Sequence, residues 1–565
     1  MKVVRPFIVL IVPTIIFSSA PAQEKNGNAA ALPIIASAHN YAKAQYLATY
    51  FFGAQRCGNT QSWCHSACHT QDGKTVGRNL SGGWHDCGDY IKFSHIEPYA
   101  AVVCLAGFEY YPSAYPDDYS QALSAPPSNG IPDILDEVKV EADFLLKAVT
   151  KDTLFWQIGT SNDHNGFAEP VYQSANGPDA DPRTVFSATK GYSNVCGDAA
   201  AALALMSIVY RPFNNAYADS CVAAAEKYYA IGSINPATSS TNPSSFYSFT
   251  DYQDEMGYGA ILLYRATNKS NYLTDATNYA SSFNTTDPTY YGNVSYLAFL
   301  ELYKVTGTTS YLTQVGNEVN KEINAVAPCG YYHYDNSGSL EYAAEGAFLA
   351  SLYHSITKNA AAYTYANNTV NFILGTHGTI SADAPANFSF VIGYNELGGG
   401  YPHSPQHAAA FGKTTTAWAD FTKEQNTPKS VPYKYLLKGA LVGGPKAQCA
   451  NYVDNINDYD ANEVCCCYNA GLVGALAYIN MISTSVIDNP AINNDIKVVE
   501  NPVNETLRIE ISKAGDFFIY DMLGNVTMSF HADQYTTIDV SRLSPGIYLL
   551  RNANQNGCKK IVKVN

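Results

Sequence analysis

Charge is scarce in this chain, and positive charge most of all. Asp, Glu, Lys and Arg make up 15 % of 565 residues, and 34 basic residues face 49 acidic ones, for a net charge of −15. That balance argues against nucleic acid or an anionic membrane surface as a partner, because both are bound through basic patches. Long apolar runs are missing too. After the N-terminus nothing reaches the ~18 consecutive apolar residues of a membrane span, so no transmembrane anchor is expected. No repeat of fixed period is visible, which weakens the case for a helical solenoid.

What is present is globular. Hydrophobic residues are 46 % and aromatic ones 13 %, with 44 Tyr against 24 Phe. Tyrosine offers a flat apolar face and a hydroxyl, a combination suited to stacking on sugar rings, although many exported proteins are simply rich in it. A chain of this length exceeds one ordinary core, so two or more domains are expected. The start, "MKVVRPFIVLIVPTIIFSSAPAQ", sets Lys2 and Arg5 before an apolar run and ends on Ala20-Pro21-Ala22. It reads as a signal peptide over 1–22, and hence as a secreted or cell-surface protein. Thirteen cysteines in an exported chain permit disulfides, but the odd number leaves at least one unpaired or bound to something else.

Residues 37–485 carry about a dozen segments with apolar residues at helical spacing, among them "IPDILDEVKVEADFLLKAV" and "EYAAEGAFLASLYHSI", separated by long Gly/Pro/Asn/Ser loops. Many helices of similar length with long loops suggest an all-α toroid whose loops build a cleft at one end. Composition changes near Asn489. A linker over 486–496 leads to residues 497–565, where apolar and polar residues alternate between turn signals, as in a small β-sandwich.

Two stretches carry chemistry. "SGGWHDCGDYIKF" sets Asp86 and Asp89 three residues apart on a Gly-rich loop. The pair suits a turn, a calcium loop, or two carboxylates that handle a water, with backbone amides able to keep both ionised. "NYVDNINDYDANEVCCCYNAGLVGALAYI" places Glu463 at the start of a helical run just after Asp454, Asp458 and Asp460. Neighbouring negative charge and apolar cover would keep such a glutamate protonated near neutral pH.

Together these stretches resemble glycoside hydrolase family 9, the cellulase-type endoglucanases. "LSGGWHDCGDYIKF" is similar to its GGW-x-D-A-G-D loop. "NGIPDILDEVKVEADFLLK", "IGTSNDHNGFAEP", "DYQDEMGYGAILLYRAT", "GSLEYAAEGAFLASLY" and "SFVIGYNELGGGYP" follow in the family's order, and Tyr452, Asp454, Tyr459, Glu463 and Asn469 match its C-terminal signature. The resemblance implies an (α/α)6 toroid and hydrolysis of β-1,4-glucan with inversion, without a catalytic cofactor. By position Asp89 would be the general base, Asp86 would orient the water, Glu463 would be the general acid and Asp454 a supporting carboxylate. His164, Tyr342 and His407 would meet the sugar.

Several positions depart from the family pattern. "YPHSPQHAAAFG" aligns with the family's Pro-His-His-Arg as Pro405-Gln406-His407-Ala408, losing the first His and the Arg; His403 could be offered instead but brings no Arg. Ser337 and Glu341 stand where Trp and Arg are common, and Phe167 replaces a frequent Trp. Another β-linked glycan (mixed-linkage glucan, xyloglucan, glucosamine oligomers) or a catalytically impaired glycan-binding surface protein are the alternatives. Cys57, Cys68, His69 and His85 match relatives that hold a structural zinc, against a disulfide alternative in which Cys64 and Cys87 compete as partners. Cys87, in a usual Ala slot, reads as small filler or as bonded to a nearby cysteine. Cys465 stands where the family usually has a small residue, and helical geometry sends Cys465, Cys466 and Cys467 in different directions, which excludes one shared metal site. A calcium seen in some relatives near Asp251, Asp254 and Glu255 lacks a further Asp, so none is assigned; the acids equally suit a helix N-terminus. "ENPVNETLRIEI", "IYDMLGNV" and "IDVSRLSPGIYLLR" resemble the type IX secretion sorting domain rather than a carbohydrate-binding module. The implied partners are a β-glucan poly- or oligosaccharide and the type IX machinery.

Overall fold

The computed structural model describes residues 39–117, 128–165, 168–177, 179–242, 246–412, 435–487, 496–511, 514–520, 526–552 and 558–564. The expected signal peptide and most of the expected linker lie outside them. Among the described residues, twelve helices are eleven residues or longer: α1 Tyr41–Phe52, α2 Ile96–Tyr110, α3 Asp133–Lys147, α4 Ser193–Tyr210, α5 Asn215–Gly232, α6 Gln253–Thr267, α7 Ser270–Ala280, α8 Ser295–Thr306, α9 Thr309–Asn324, α10 Ser339–Thr357, α11 Ala360–Ile373 and α12 Cys466–Ile487.

They alternate between an inner and an outer ring, forming an α/α toroid. The even-numbered helices are buried over most of their length; α4, "SNVCGDAAAALALMSIVY", is apolar nearly all round and buried at all but one position. The odd-numbered α5, α7, α9 and α11 bury one stripe and expose the rest. Each inner helix packs on its outer neighbour, and α12, α2, α4, α6 and α8 pack in succession.

Helix ends decide where the loops go. After α6, α8 and α10 the link to the outer helix is two residues long. At each of these ends the last helical residue is a threonine (Thr267, Thr306, Thr357) whose hydroxyl donates to the carbonyl four residues back. A left-handed residue then breaks the helix: Asn268 (φ 57°), Gly307 (φ 70°) or Lys358 (φ 60°). The outer-to-inner connections are long by contrast: 53–95, 148–192, 233–252, 281–294, 325–338 and 374–465. Every catalytic or metal residue expected from sequence lies in one of these six segments. Short links at one end of the toroid thus leave the other end to build the site. Within the long segments, β1 Lys92–Phe93, β2 Leu154–Ile158 and β3 Val185–Ala188 pair antiparallel in the order β1-β2-β3.

The C-terminal part has its own core. Strands β4 Ile496–Val498, β5 Thr506–Ile511 and β8 Tyr535–Asp539 form one antiparallel sheet in the order β4-β5-β8. Strands β10 Cys558–Lys563, β9 Gly546–Asn552, β6 Gly515–Tyr520 and β7 Val526–Ala532 form the other, in that order. Alternating inward residues, including Leu507, Ile509, Phe517, Ile519, Leu550 and Ile561, fill the space between them.

Candidate active site

The loop 81–93 is held from behind before its carboxylates are placed. Arg56 pairs in bidentate fashion with Glu137 at 3.0 and 2.6 Å, and the Trp84 indole donates to the same carboxylate at 3.1 Å. Glu141 accepts from the Trp84 backbone at 2.9 Å. Gly83 (φ +77°) passes so close to Glu141 and Phe144 that a Cβ would lie 2.8 Å from each. Gly88 is tighter still: a Cβ there would stand 1.9 Å from the Gln406 carbonyl oxygen. The glycine lets the 81–93 loop lie flat on segment 406–408, where Ala408 N–H donates to the Gly88 carbonyl and Gln406 bridges to Glu463.

Asp86 is buried, and its Oδ2 accepts from the Tyr247 hydroxyl at 2.9 Å. Its Oδ1 has no hydrogen-bond partner among the described residues. Burial first, and the charge of Asp89 second, push its carboxyl well above the ordinary range. Asp89 is less enclosed. Its Oδ1 accepts from Ile91 N–H at 3.1 Å and its Oδ2 from His164 Nδ1 at 2.7 Å. That hydrogen bond raises the His164 pKa to about 8, so a cation stands beside Asp89 at neutral pH.

Glu463 follows the one-turn helix Tyr459–Asn462 in extended conformation and is half-buried. Burial, followed by the charge of Asp89, pushes its carboxyl from 4.5 up to about 7. Asp86, Asp89 and Glu463 thus share one electrostatic site. A disulfide between Cys87 and Cys465 joins the two stretches directly, across 378 residues of sequence. The three consecutive cysteines have three tasks. Cys465 bonds Cys87, the Cys466 thiol and backbone N–H meet the carbonyls of His85 and Asp86, and Cys467 lies against the Glu341 carboxyl. A second disulfide, Cys329–Cys449, ties segment 325–338 to segment 374–465.

Two expected residues brace loops. Both Asp454 oxygens accept from backbone N–H groups, His403 at 2.8 Å and Ser404 at 2.9 Å, so this carboxylate braces the 403–407 loop. His407 is buried, donates to Gln55 Oε1 at 2.5 Å, and has its pKa lowered to about 3 by burial. Gln55 in turn donates to the Cys87 carbonyl at 2.7 Å, so His407 props the 81–93 loop from behind and shows no edge to a sugar. The exposed imidazole of this segment is His403, its ring 5.3 Å from that of Tyr401.

Tyr342 belongs to a run of rings that sequence reasoning missed. Tyr247 contacts Tyr291 at 5.4 Å, Tyr291 contacts Tyr290 at 5.1 Å, Tyr290 contacts Tyr342 at 5.5 Å and Tyr342 contacts Tyr334 at 5.0 Å. The series leads from the Asp86 carboxylate to the exposed Tyr334. Its members come from four separate segments, so no local motif announces it.

Beside the 81–93 loop, Cys57, Cys68, His69 and His85 are buried and offer ligand atoms all within 4.8 Å of one another. Both His69 ring nitrogens lack a hydrogen-bond partner among the described residues. Burial lowers His85 to about 4, leaving the neutral imidazole that a metal needs. Burial opposes ionisation of Cys57, but the Cys68 thiol and the charge of Lys92 outweigh it and hold Cys57 well below the usual thiol range. Cys57 and Cys68 are not disulfide-bonded. Asp251, Asp254 and Glu255 also converge within 4.8 Å, near Asp198, whose two oxygens have no hydrogen-bond partner among the described residues.

Comparison with known proteins agrees with this fold. Residues 41–476 match glycosyl hydrolase family 9. The chain belongs to that family. It is 30 % identical over 473 residues to endoglucanase B of Cellulomonas fimi and to endoglucanase A of Bacillus pumilus; the match takes in 78 % of this chain, but only 42 % and 66 % of those two proteins. The crystal structure of the cellulase Cel9M of C. cellulolyticum superposes with a TM-score of 0.67 at 31 % identity, covering 79 % of this chain and 99 % of that one. The endoglucanase of the termite Nasutitermes takasagoensis superposes with the same score at 27 % identity, over 79 % of this chain and all of its own. Residues 498–564 match a secretion-system C-terminal sorting domain, which directs this family 9 chain through type IX secretion to the cell surface or extracellular space.

Proposed function

We propose that the chain is an endoglucanase-type β-glucan hydrolase working by single displacement with inversion. The observation that carries this is the shared site of Asp86, Asp89 and Glu463, in which one carboxyl is raised to about 7 and another is paired with a cationic histidine. Glu463, protonated below neutral pH, gives its proton to the leaving glycosidic oxygen. Asp89 takes a proton from a water on the opposite face of the ring, and Asp86 orients that water through its unpartnered oxygen. The tyrosine run supports the glucan chain by stacking and hydroxyl contacts. A cellulase of this family crystallised with cellobiose supports a β-glucan as substrate. Release of reducing sugar from a panel of soluble β-glucans tests the proposal, with Asp89→Asn as the control. Binding without hydrolysis on every member would point to the glycan-binding alternative.

The pH profile follows from Glu463. Its pKa is raised from 4.5 to about 7, and it acts in the protonated form, so kcat/KM falls as pH rises through about 7. A rate still climbing at pH 9 would contradict the assignment. Tyr247→Phe removes the hydroxyl that holds Asp86; a kcat about tenfold lower with KM little changed is expected, from the loss of one hydrogen bond to a reacting carboxyl.

We further propose that Cys57, Cys68, His69 and His85 hold a structural zinc. Two thiolates and two imidazoles complete a tetrahedral set, and no position is left open for chemistry. The ion would fix His85 and with it the backbone of Asp86; it takes no part in the reaction.

A further inference from the structure

Cys87 and Cys465 bring sulfur to the reacting carboxylates. Cys87 stands between Asp86 and Asp89, and Cys465 stands two residues after Glu463. The two sulfurs and a Glu463 carboxylate oxygen all lie within 4.8 Å of one another. Cys87 Sγ is also 3.5 Å from the Tyr247 hydroxyl, on the floor of the same site. While the sulfurs are bonded to each other they are poor ligands, because the thiolate is the form that binds metal. Breaking that bond changes the chemistry of the same three positions. Two thiolates and one carboxylate make an S2O donor set of the kind that zinc and other soft divalent cations take. Two thiolates on one tetrahedral zinc stand about 3.8 Å apart, given Zn–S bonds of about 2.3 Å, so only a swing of the side chains is required. Glu463 is half-buried, which leaves solvent access for a fourth ligand.

We propose that reduction of the Cys87–Cys465 disulfide opens a site for a soft divalent cation on Glu463, and that the disulfide keeps the site free of such ions. The inference rests on the assignment of Glu463 as the general acid. The step balances with a dithiol reductant: it gives two electrons and two protons and closes its own disulfide, while the Cys87–Cys465 bond breaks into two thiols. Binding the cation releases both thiol protons and the Glu463 proton to water. A glutamate ligated in this way has no proton for a leaving group. The Cys57–Cys68–His69–His85 set is separate, since its thiols are already free of disulfides. The arrangement suits an exported chain, whose disulfide stays closed in oxidising surroundings.

The test uses the full chain loaded with zinc, treated with a dithiol under nitrogen, desalted, and compared with untreated protein as zinc is added. The reduced protein is expected to take up one further zinc per chain by mass spectrometry under native conditions. Its glucan hydrolysis is expected to fall at least tenfold, restored by a chelator too weak to strip the tetrahedral set. Untreated protein should show neither change, and Cys87→Ala should take up no further zinc after the same treatment. Uptake of no further zinc by reduced wild type, equal uptake by Cys87→Ala, or uptake without inhibition would each overturn the proposal. Should the untreated chain hydrolyse no glucan, the catalytic reading fails, while the zinc count with and without Cys87 still decides whether the site exists.

Discussion

Glu463→Gln is expected to lower kcat on β-glucan by about 10³-fold, and Asp89→Asn by about 10⁴-fold, with KM changing little in either. The two losses differ in kind. Glutamine cannot protonate a poor leaving group, but a substrate whose leaving group departs as a stable anion hardly needs that proton. On an activated aryl cello-oligosaccharide, therefore, Glu463→Gln should recover most of its rate and Asp89→Asn should not. The half-burial of Glu463 and its raised pKa fit the donor role, and the His164–Asp89 contact at 2.7 Å fits the base. If both variants recovered equally on the activated substrate, the roles assigned to the two carboxyls would be wrong.

The second large effect concerns the metal set. Wild-type protein is expected to carry one zinc per chain, and Cys68→Ser none. Without the ion, Cys57, His69 and His85 are left as buried polar groups lacking their ligand, at about 1–3 kcal/mol each. For a domain of this size the loss corresponds to a fall in Tm of roughly 5–10 °C. Activity should fall with it, because His85 is covalently next to Asp86 and its backbone N–H donates to the Gln55 carbonyl at 2.7 Å. Unchanged zinc stoichiometry in Cys68→Ser would remove the site from consideration.

What was legible in the sequence was whatever local spacing encodes. Asp86 and Asp89 share a loop, and the apolar stripes of the helices foretell the toroid; the helical run expected to start at Glu463 begins only at Cys466, with Glu463 itself in extended backbone. Cys57, Cys68, His69 and His85 span only 29 residues, and their chemistry is that of a complete donor set. What stayed hidden depends on partners brought together by the closed ring. Whether a loop histidine is buried or exposed turns on Gln55, which lies 352 residues from His407 and takes its ring inward, leaving His403 outside. Asp454 looks acidic and available in sequence, yet two backbone amides from 50 residues away consume it. Tyr247 sits in "SFYSFT", where nothing marks it as the partner of an aspartate 161 residues earlier. The Cys87–Cys465 bond had one signal that went unused: both cysteines stand where the family has small residues, and both adjoin the same proposed site. Two such departures at one place point to each other.

The most direct test of the central claim follows the first product formed. Proton NMR of a soluble cello-oligosaccharide with wild-type enzyme should show the α-anomer of the new reducing end accumulating before mutarotation, because inversion at a β-linkage gives that configuration. First appearance of the β-anomer would mean a double displacement through a covalent intermediate, and would contradict the roles given to Asp89 and Glu463.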